Sequence, residues 1–568
     1  MFSRKSGFSS FYIPPLSLFK MTEKDSEKGS VKPDYEEPIR AEVLPVSNIK
    51  FGETKRALKS RHVQLIALGG CIGTGLFVGS GQSLAQSGPA SLFLAYIVMS
   101  FVIWCVMNVL GEMNTYLPIA GASPPLYIDR FVDKSLAFAT GWNYWYAYVF
   151  LMASEVTAAA IIIEYWTESV PAAAWIAIVL FLLTLLNSFL VKWYGETEFW
   201  LAIVKVVTIV GLIVLSIAIF FGGTPKHDRL GFRYWKHGLA FREYLVTGGP
   251  GRLCGFWMAV VKSGFSFVLS PELITIASGE TEAPRRNIPK ATSRFIYRLA
   301  FFYILGTLAI GVIVSSKDPQ MLSAVSKGSS NAGASPFVIG IQNAGIPILN
   351  HIINAVILTS SISSGNSFLF AGSRSLYSLA VEGQAPKIFK RCNRWGVPYV
   401  AVLFTILIAC LSFLNASSSS AMVFTWFTNL STISGFIAWI CILITYLRFR
   451  KAMIKENMLN LMPFRAPFQP YAAYITLFVV SLITITNGFT VFVGHDFTAS
   501  GFIAAYITLP IFLALYLGHK LFTKNWKWFK RVDELDITSG LAEAEEVESR
   551  YILPKPKNFL DKIWMWIF

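Results

Sequence analysis

Apolar residues fall into twelve blocks separated by polar or charged stretches, near residues 62–86, 91–116, 137–165, 172–192, 198–221, 253–279, 295–315, 348–377, 398–415, 420–446, 471–493 and 499–521. Crossing a hydrocarbon core of about 30 Å takes about 20 predominantly apolar residues in a helix. The pattern therefore predicts an all-α polytopic membrane protein with 12 transmembrane helices. Residues 1–61 are polar and charged and carry no cleavable signal segment, so they read as a disordered cytosolic tail. Residues 522–568 read as a cytosolic C-terminal tail.

Two blocks are interrupted. Gly69–Gly81 in span one reads Gly-Gly-Cys-Ile-Gly-Thr-Gly-Leu-Phe-Val-Gly-Ser-Gly. A glycine inside a helix costs roughly 0.5–1 kcal/mol relative to alanine. In hydrocarbon, broken backbone persists only where protein, water or ligand takes up the freed groups. Gly73-Thr74-Gly75 is therefore expected to be an unwound hinge that offers amides to a small polar ligand. Gly75 and Gly79 also have the spacing of a helix-packing motif. Span six carries Lys262-Ser-Gly-Phe-Ser-Phe-Val-Leu-Ser-Pro-Glu272, where Pro271 removes a helix donor. Interruptions at corresponding places in two halves point to a transporter's binding site. Spans one and six each open a set of five, which predicts two inverted five-helix repeats, 62–221 and 253–446. These are joined by an extracellular loop, 222–252, and followed by two peripheral helices within 471–521.

Composition agrees. The 568 residues are 54% hydrophobic and 14% charged, against about 25% charged for a soluble domain. Nucleic acid is not the reason for the net charge of +16, because basic residues cluster between spans. Arg285, Arg286, Lys290 and Arg294 fill one such loop, Lys387, Lys390, Arg391 and Arg394 a second, and Arg448, Arg450, Lys451 and Lys455 a third. By the positive-inside rule these are cytosolic, which places both termini inside. One loop disagrees: 222–252 holds Lys226, Arg229, Arg233, Lys236 and Arg242 on the opposite side. The six cysteines show no metal-ligand or redox spacing, and no nucleophile–base–acid set stands out on the loops.

From Arg61-His-Val-Gln to Gly81 the chain resembles the fungal amino-acid permeases of the amino-acid/polyamine/organocation superfamily. The likeness continues through Gly111-Glu-Met113, Gly141-Trp-Asn-Tyr-Trp-Tyr146, Glu198-Phe-Trp-Leu-Ala-Ile-Val-Lys205, Pro284-Arg-Arg-Asn-Ile-Pro289, Ser364-Gly-Asn366 and Arg394-Trp-Gly-Val-Pro398. Pro271-Glu-Leu273 and Gly383-Gln-Ala-Pro386 are most similar to the branch of proline and 4-aminobutyrate permeases. The chain departs at Leu269-Ser270-Pro271, where many members carry a glycine, and at Trp564–Phe568, where many carry a cysteine. The resemblance implies a leucine-transporter-type fold and proton-coupled uptake of neutral amino acids at the plasma membrane, with no cofactor and the proton gradient as energy source. The implied partners are the amino acid, the proton, membrane lipids and cytosolic trafficking or ubiquitylation machinery. A transporter-like sensor with little flux is the alternative reading.

An amino acid needs donors for its carboxylate and acceptors for its ammonium. The amides of Gly73, Thr74 and Gly75, with the Thr74 hydroxyl, suit the carboxylate. Carbonyls freed around Ser266–Leu269 suit the ammonium, Phe265 and Phe267 would close on an apolar side chain, and Lys262 would sense the substrate or pair with a carboxylate. Ionisable residues inside spans mark function by default. Lys205 in span five is the first proton-coupling candidate, and the resemblance implies that it faces span one where sodium-coupled relatives bind sodium. Glu155 in span three is the second. Glu112 and Glu272 are expected in gates or charge networks, the latter with a cytosolic-side cation. Ser363, Ser364 and Asn366 in span eight keep a sodium site open as an alternative.

Overall fold

The computed structural model describes residue 70 and residues 72–118, 124–167, 169–188, 191–278, 284–326, 335–346, 348–416, 420–493 and 497–542, with 545, 546 and 558. The N-terminal tail, span one up to Gly69, Cys71 and the segment Trp564–Phe568 lie outside the described residues. Among the described residues every regular element is helical.

Among the described residues seven helices are long and apolar enough to cross a membrane, and the pair Ala499–Tyr506 and Thr508–Thr523, bent by 48°, is long and apolar enough for an eighth when taken as one span. Three shorter apolar helices, Ala172–Ser188, Tyr399–Asn415 and Tyr471–Ile485, occupy the places of spans four, nine and eleven. The described part of span one supplies the twelfth place. The most extensive packing joins span three (Lys134–Glu164) to span eight (Leu349–Val381), and span two (Pro89–Tyr116) to span seven (Pro284–Ile313). Two and three pair with seven and eight, the pairing expected when each repeat of five places its second and third helices against their counterparts.

Span five (Val191–Phe220) shows how sequence assigns each face. Trp200, Val207 and Val214, spaced by two turns, are 63%, 65% and 60% exposed and form a lipid-facing stripe. Glu198, Lys205 and Leu212, at the same spacing, are buried. A seven-residue repeat returns to nearly the same helix face, so the two charges enter the protein while the apolar residues meet lipid.

Beyond span twelve the chain folds back under the bundle. Lys520 pairs with Asp133 at 3.0 Å, the Lys530 amide donates to Val132 O at 3.0 Å, and Arg130 meets Asp536 at 3.1 Å. Leu535 and Ile537 are buried there. This segment is anchored to the short helix Pro124–Phe131 before span three.

Candidate functional site

Both predicted breaks exist: the one in span one starts a residue before its expected place, and the one in span six falls at Val268 and Leu269, within the stretch Ser266–Leu269 expected to free its carbonyls. In span one the backbone bends at Ile72 and Gly73, and Thr74 already has helical dihedrals (φ −64°, ψ −19°). The helix resumes as a π turn, Gly75–Gly79, and continues as Ser80–Ser87. Of the predicted hinge Gly73-Thr74-Gly75 only Gly73 is unwound, together with Ile72, and Thr74 and Gly75 are helical. In span six, Gly248–Phe267 ends at Val268, Leu269 takes the left-handed conformation (φ +59°), and Ser270–Ser278 follows. Pro271 falls in the first turn of that second helix, where its missing N–H removes no hydrogen bond. A left-handed non-glycine residue costs roughly 1–2 kcal/mol, borne here by a leucine.

The groups freed at the breaks find protein partners. Ser360 donates to Ile72 O at 2.7 Å, so span eight takes up a span-one carbonyl. The Thr74 amide and hydroxyl donate to Glu155 Oε1 at 3.3 and 3.1 Å. The donors expected to meet a substrate carboxylate thus hold the protein's own carboxylate. In span six, Tyr303 donates to Ser266 O at 2.7 Å, and the Ser266 hydroxyl shares a hydrogen bond with Tyr96 OH at 2.8 Å. Gly75 lies against that serine: a Cβ there would stand 2.7 Å from Ser266 Oγ and 2.9 Å from Ser266 Cα. A glycine is required for this close approach of spans one and six.

Lys205 and Glu155 meet at the centre. The Lys205 ammonium donates to Ser364 Oγ at 3.1 Å. A Cβ on Gly73 would lie 2.6 Å from Glu155 Oε1 and 2.9 Å from Ser364 Oγ, so the hinge glycine, the carboxylate and the lysine's partner share one small space. The cluster extends to a residue missed as a candidate, Glu198. Its carboxylate is fully buried and accepts from Ser363 Oγ at 2.8 Å, Asn366 Nδ2 at 2.6 Å and Ser367 Oγ at 3.2 Å. Lys205 interacts electrostatically with both Glu155 and Glu198. The sequence signal was available, since Glu198 and Lys205 are seven residues apart inside one apolar block.

The other predicted residues separate from this cluster. Lys262 donates to Gln82 Oε1 at 3.0 Å rather than to a carboxylate. Lys262, Phe265 and Gly79 line a cavity of about 270 Å³ between spans one, six, ten and twelve and the connection that follows span eleven. Gly79 is thus a cavity wall and not a packing residue. Phe267 does not face a pocket: its ring is buried between Tyr96 and Tyr303, with centroids 5.5 and 4.5 Å away. Glu272 accepts from Tyr144 OH at 3.2 Å and meets no cation among the described residues. Glu112 does join a charge network, accepting from Tyr446 OH at 2.7 Å and the Ala466 amide at 2.5 Å, with Arg450 at 3.2 Å.

The model of the amino acid permease family matches residues 62–532. A probable proline-specific permease of Schizosaccharomyces pombe is 71% identical over 91% of this chain and 99% of its own length. Proline-specific permeases of Emericella nidulans and Saccharomyces cerevisiae are 58% and 51% identical, covering 91% and 94% of this chain and 94% and 87% of theirs. A solved structure of the Eremococcus coleocola manganese transporter superposes with a TM-score of 0.52 at 16% identity, over 82% of this chain and 93% of that one. That likeness concerns the fold alone. Sequence match, twelve helical places and two broken spans agree: the chain belongs to the amino acid permease family.

Proposed function

We propose that this protein imports small neutral amino acids, proline first among them, across the plasma membrane in symport with a proton, by alternating access about the breaks of spans one and six. The substrate preference follows the names of its relatives, proline-specific permeases at 51–71% identity. The observation that carries the coupling is Lys205, a buried ammonium held on Ser364 within electrostatic reach of Glu155 and Glu198. Charges of this kind are kept inside a membrane at a cost of a few kcal/mol or more, and they mark proton or ion paths.

The geometry suggests how proton and substrate exchange. Thr74 offers an amide and a hydroxyl to one carboxylate, now that of Glu155. When Glu155 takes up a proton it becomes a weaker acceptor, because a hydrogen bond to a charged group is roughly twice as strong as a neutral one. The carboxylate of the amino acid then takes the two donors. Release of the proton toward the cytosol, with Lys205 as the neighbouring relay, restores the Glu155–Thr74 contact and expels the substrate. Sodium is the less favoured coupling ion. Ser363 and Asn366, the span-eight groups that would ligate it, are engaged by Glu198, and Ser364 holds Lys205. The relatives named above are permeases, and no observation here favours a sensor without flux.

The test is uptake of labelled proline into proteoliposomes with an imposed inward proton gradient, followed by competition with a panel of neutral amino acids. Uptake is expected to follow the gradient without sodium. A sodium requirement with no response to pH refutes the coupling, and failure of every neutral amino acid to compete refutes the substrate class.

A further inference from the structure

Loop 222–252 carries Lys226, Arg229, Arg233, Lys236 and Arg242 where the positive-inside rule expects few cations, and the proposed transport mechanism leaves the loop unused. Three of these cations have partners in the protein. Arg233 pairs with Asp228 at 2.6 Å, Lys226 donates to Asn343 O at 2.6 Å, and Arg242 reaches the ends of two spans. A helix leaves its last four carbonyls without a partner of its own, and cations are favoured there. The helix Ser80–Ser87 of span one ends against this loop. Arg242 Nη1 donates to Ala85 O and, at 2.8 Å, to Ser316 O just past span seven, while the Arg242 amide donates to Ser87 O at 2.9 Å. Trp235 Nε1 takes up the Gly311 carbonyl of span seven at 3.0 Å, and Ala240 O accepts from the Ala90 amide of span two at 3.0 Å. Span six completes the contact, since a Cβ on Gly255 would stand 2.7 Å from Arg242 O and 3.5 Å from Ser87 Cα. The turn between spans one and two is fitted to the loop: Gly88 has φ +86°, and a Cβ there would lie 2.6 Å from Ala240 O.

We propose that Arg242 is a positioning residue of transport, which joins the ends of spans one, two, six and seven beside loop 222–252 into one lever. The inference rests on the transport reading. Alternating access about the breaks moves the half of span one that ends at Ser87 and the half of span six that starts at Gly248. A change at Thr74 and Glu155 is passed to both halves only if they turn together. The backbone of Arg242 holds the loop against spans one and six, and its guanidinium adds span seven. One nitrogen shared by Ala85 O and Ser316 O ties two spans by charge-assisted bonds, roughly twice as strong as neutral ones. The positive charge of this loop thus serves the carbonyl ends of helices, which is why it departs from the charge pattern of the other loops.

The full-length chain is assayed for equilibrium binding of labelled proline in nanodiscs without a gradient, and for initial uptake in proteoliposomes with kcat expressed per proline-binding site. Arg242→Ala is expected to lower kcat about tenfold, the loss of the two guanidinium bonds, with Kd for proline retained. Arg242→Lys keeps the charge on a shorter side chain and is expected to recover part of that kcat. A merely structural role would reduce the number of binding sites and leave kcat per site unchanged, so wild-type kcat per site in the folded variants overturns the proposal and leaves the transport reading intact. A weakened Kd with kcat retained places Arg242 in substrate binding and overturns the proposal as well. If Arg242→Ala does not fold, Trp235→Phe, which removes the N–H donated to Gly311 O, decides by the same two measurements: a lowered kcat per site supports the lever and a wild-type value overturns it. A wild-type protein that neither binds nor carries any neutral amino acid overturns the transport reading and the proposal together.

Discussion

Glu198 gives the sharpest test of the buried cluster, because its carboxylate is held by three side-chain donors from span eight and by nothing from solvent. Hydrogen bonds to a charged group contribute about 1.5–3 kcal/mol each and those to a neutral group about 0.5–1.5. Glu198→Gln keeps the shape but turns three charge-assisted bonds into neutral ones, and its amide N–H₂ opposes one of the donors. The expected loss is about 3 kcal/mol. Glu198→Ala orphans Ser363, Asn366 and Ser367 at about 1–3 kcal/mol each. Serine hydroxyls can turn back to carbonyls of their own helix, which brings the expected loss to about 5 kcal/mol. Both changes also leave Lys205 with one carboxylate fewer. Adding Lys205→Met to Glu198→Gln is therefore expected to cost less than the sum of the two single losses, since both members of one charge pair are removed together. The assay is the thermal midpoint of the detergent-solubilised protein, read by the monodisperse fraction surviving heating, in the order wild type, Gln, Ala. An unchanged midpoint in Glu198→Ala, or a double variant that loses the full sum of the two single losses, refutes the reasoning.

Under an inward gradient of one pH unit, each co-transported proton supplies about 1.4 kcal/mol, or tenfold accumulation; Lys205→Ala is expected to abolish that accumulation while retaining proline binding, and full accumulation would make Lys205 a bystander. Gly75→Ala would push a methyl against Ser266 and is expected to block uptake, whereas Gly79→Ala, whose nearest atom would stand 4.0 Å away, is expected to transport nearly normally; equal uptake by the two variants contradicts the close approach of spans one and six. Glu112→Ala strands the partly buried Arg450 and removes the acceptor for Tyr446 and the Ala466 amide, so a loss of about 3–5 kcal/mol is expected, seen as a fallen thermal midpoint that Glu112→Gln lowers less.

Much of this protein is decided by the sequence alone. The length of each apolar block fixes how many helices form and that they cross a membrane, because hydrocarbon leaves the backbone no other way to satisfy its hydrogen bonds. The glycines of span one and Pro271 of span six fix where the helices fail, to within a turn, since these residues change backbone energetics locally. Lys205 and Glu155 are legible as unusual because a charge inside an apolar block is costly wherever the block folds. Partnership is not legible in this way. That Thr74 holds Glu155, that Glu198 is sealed by Ser363, Asn366 and Ser367, that Phe267 packs between two tyrosines while Phe265 lines a cavity, and that Glu272 meets Tyr144 all depend on residues far apart in the chain. Helical periodicity places Phe265 and Phe267 about 200° apart on span six but does not say which helix lies opposite either face. The tertiary structure decided the Thr74–Glu155 contact through the close approach that Gly73 and Gly75 permit, which brings spans one, three, six and eight near enough for short side chains to reach one another.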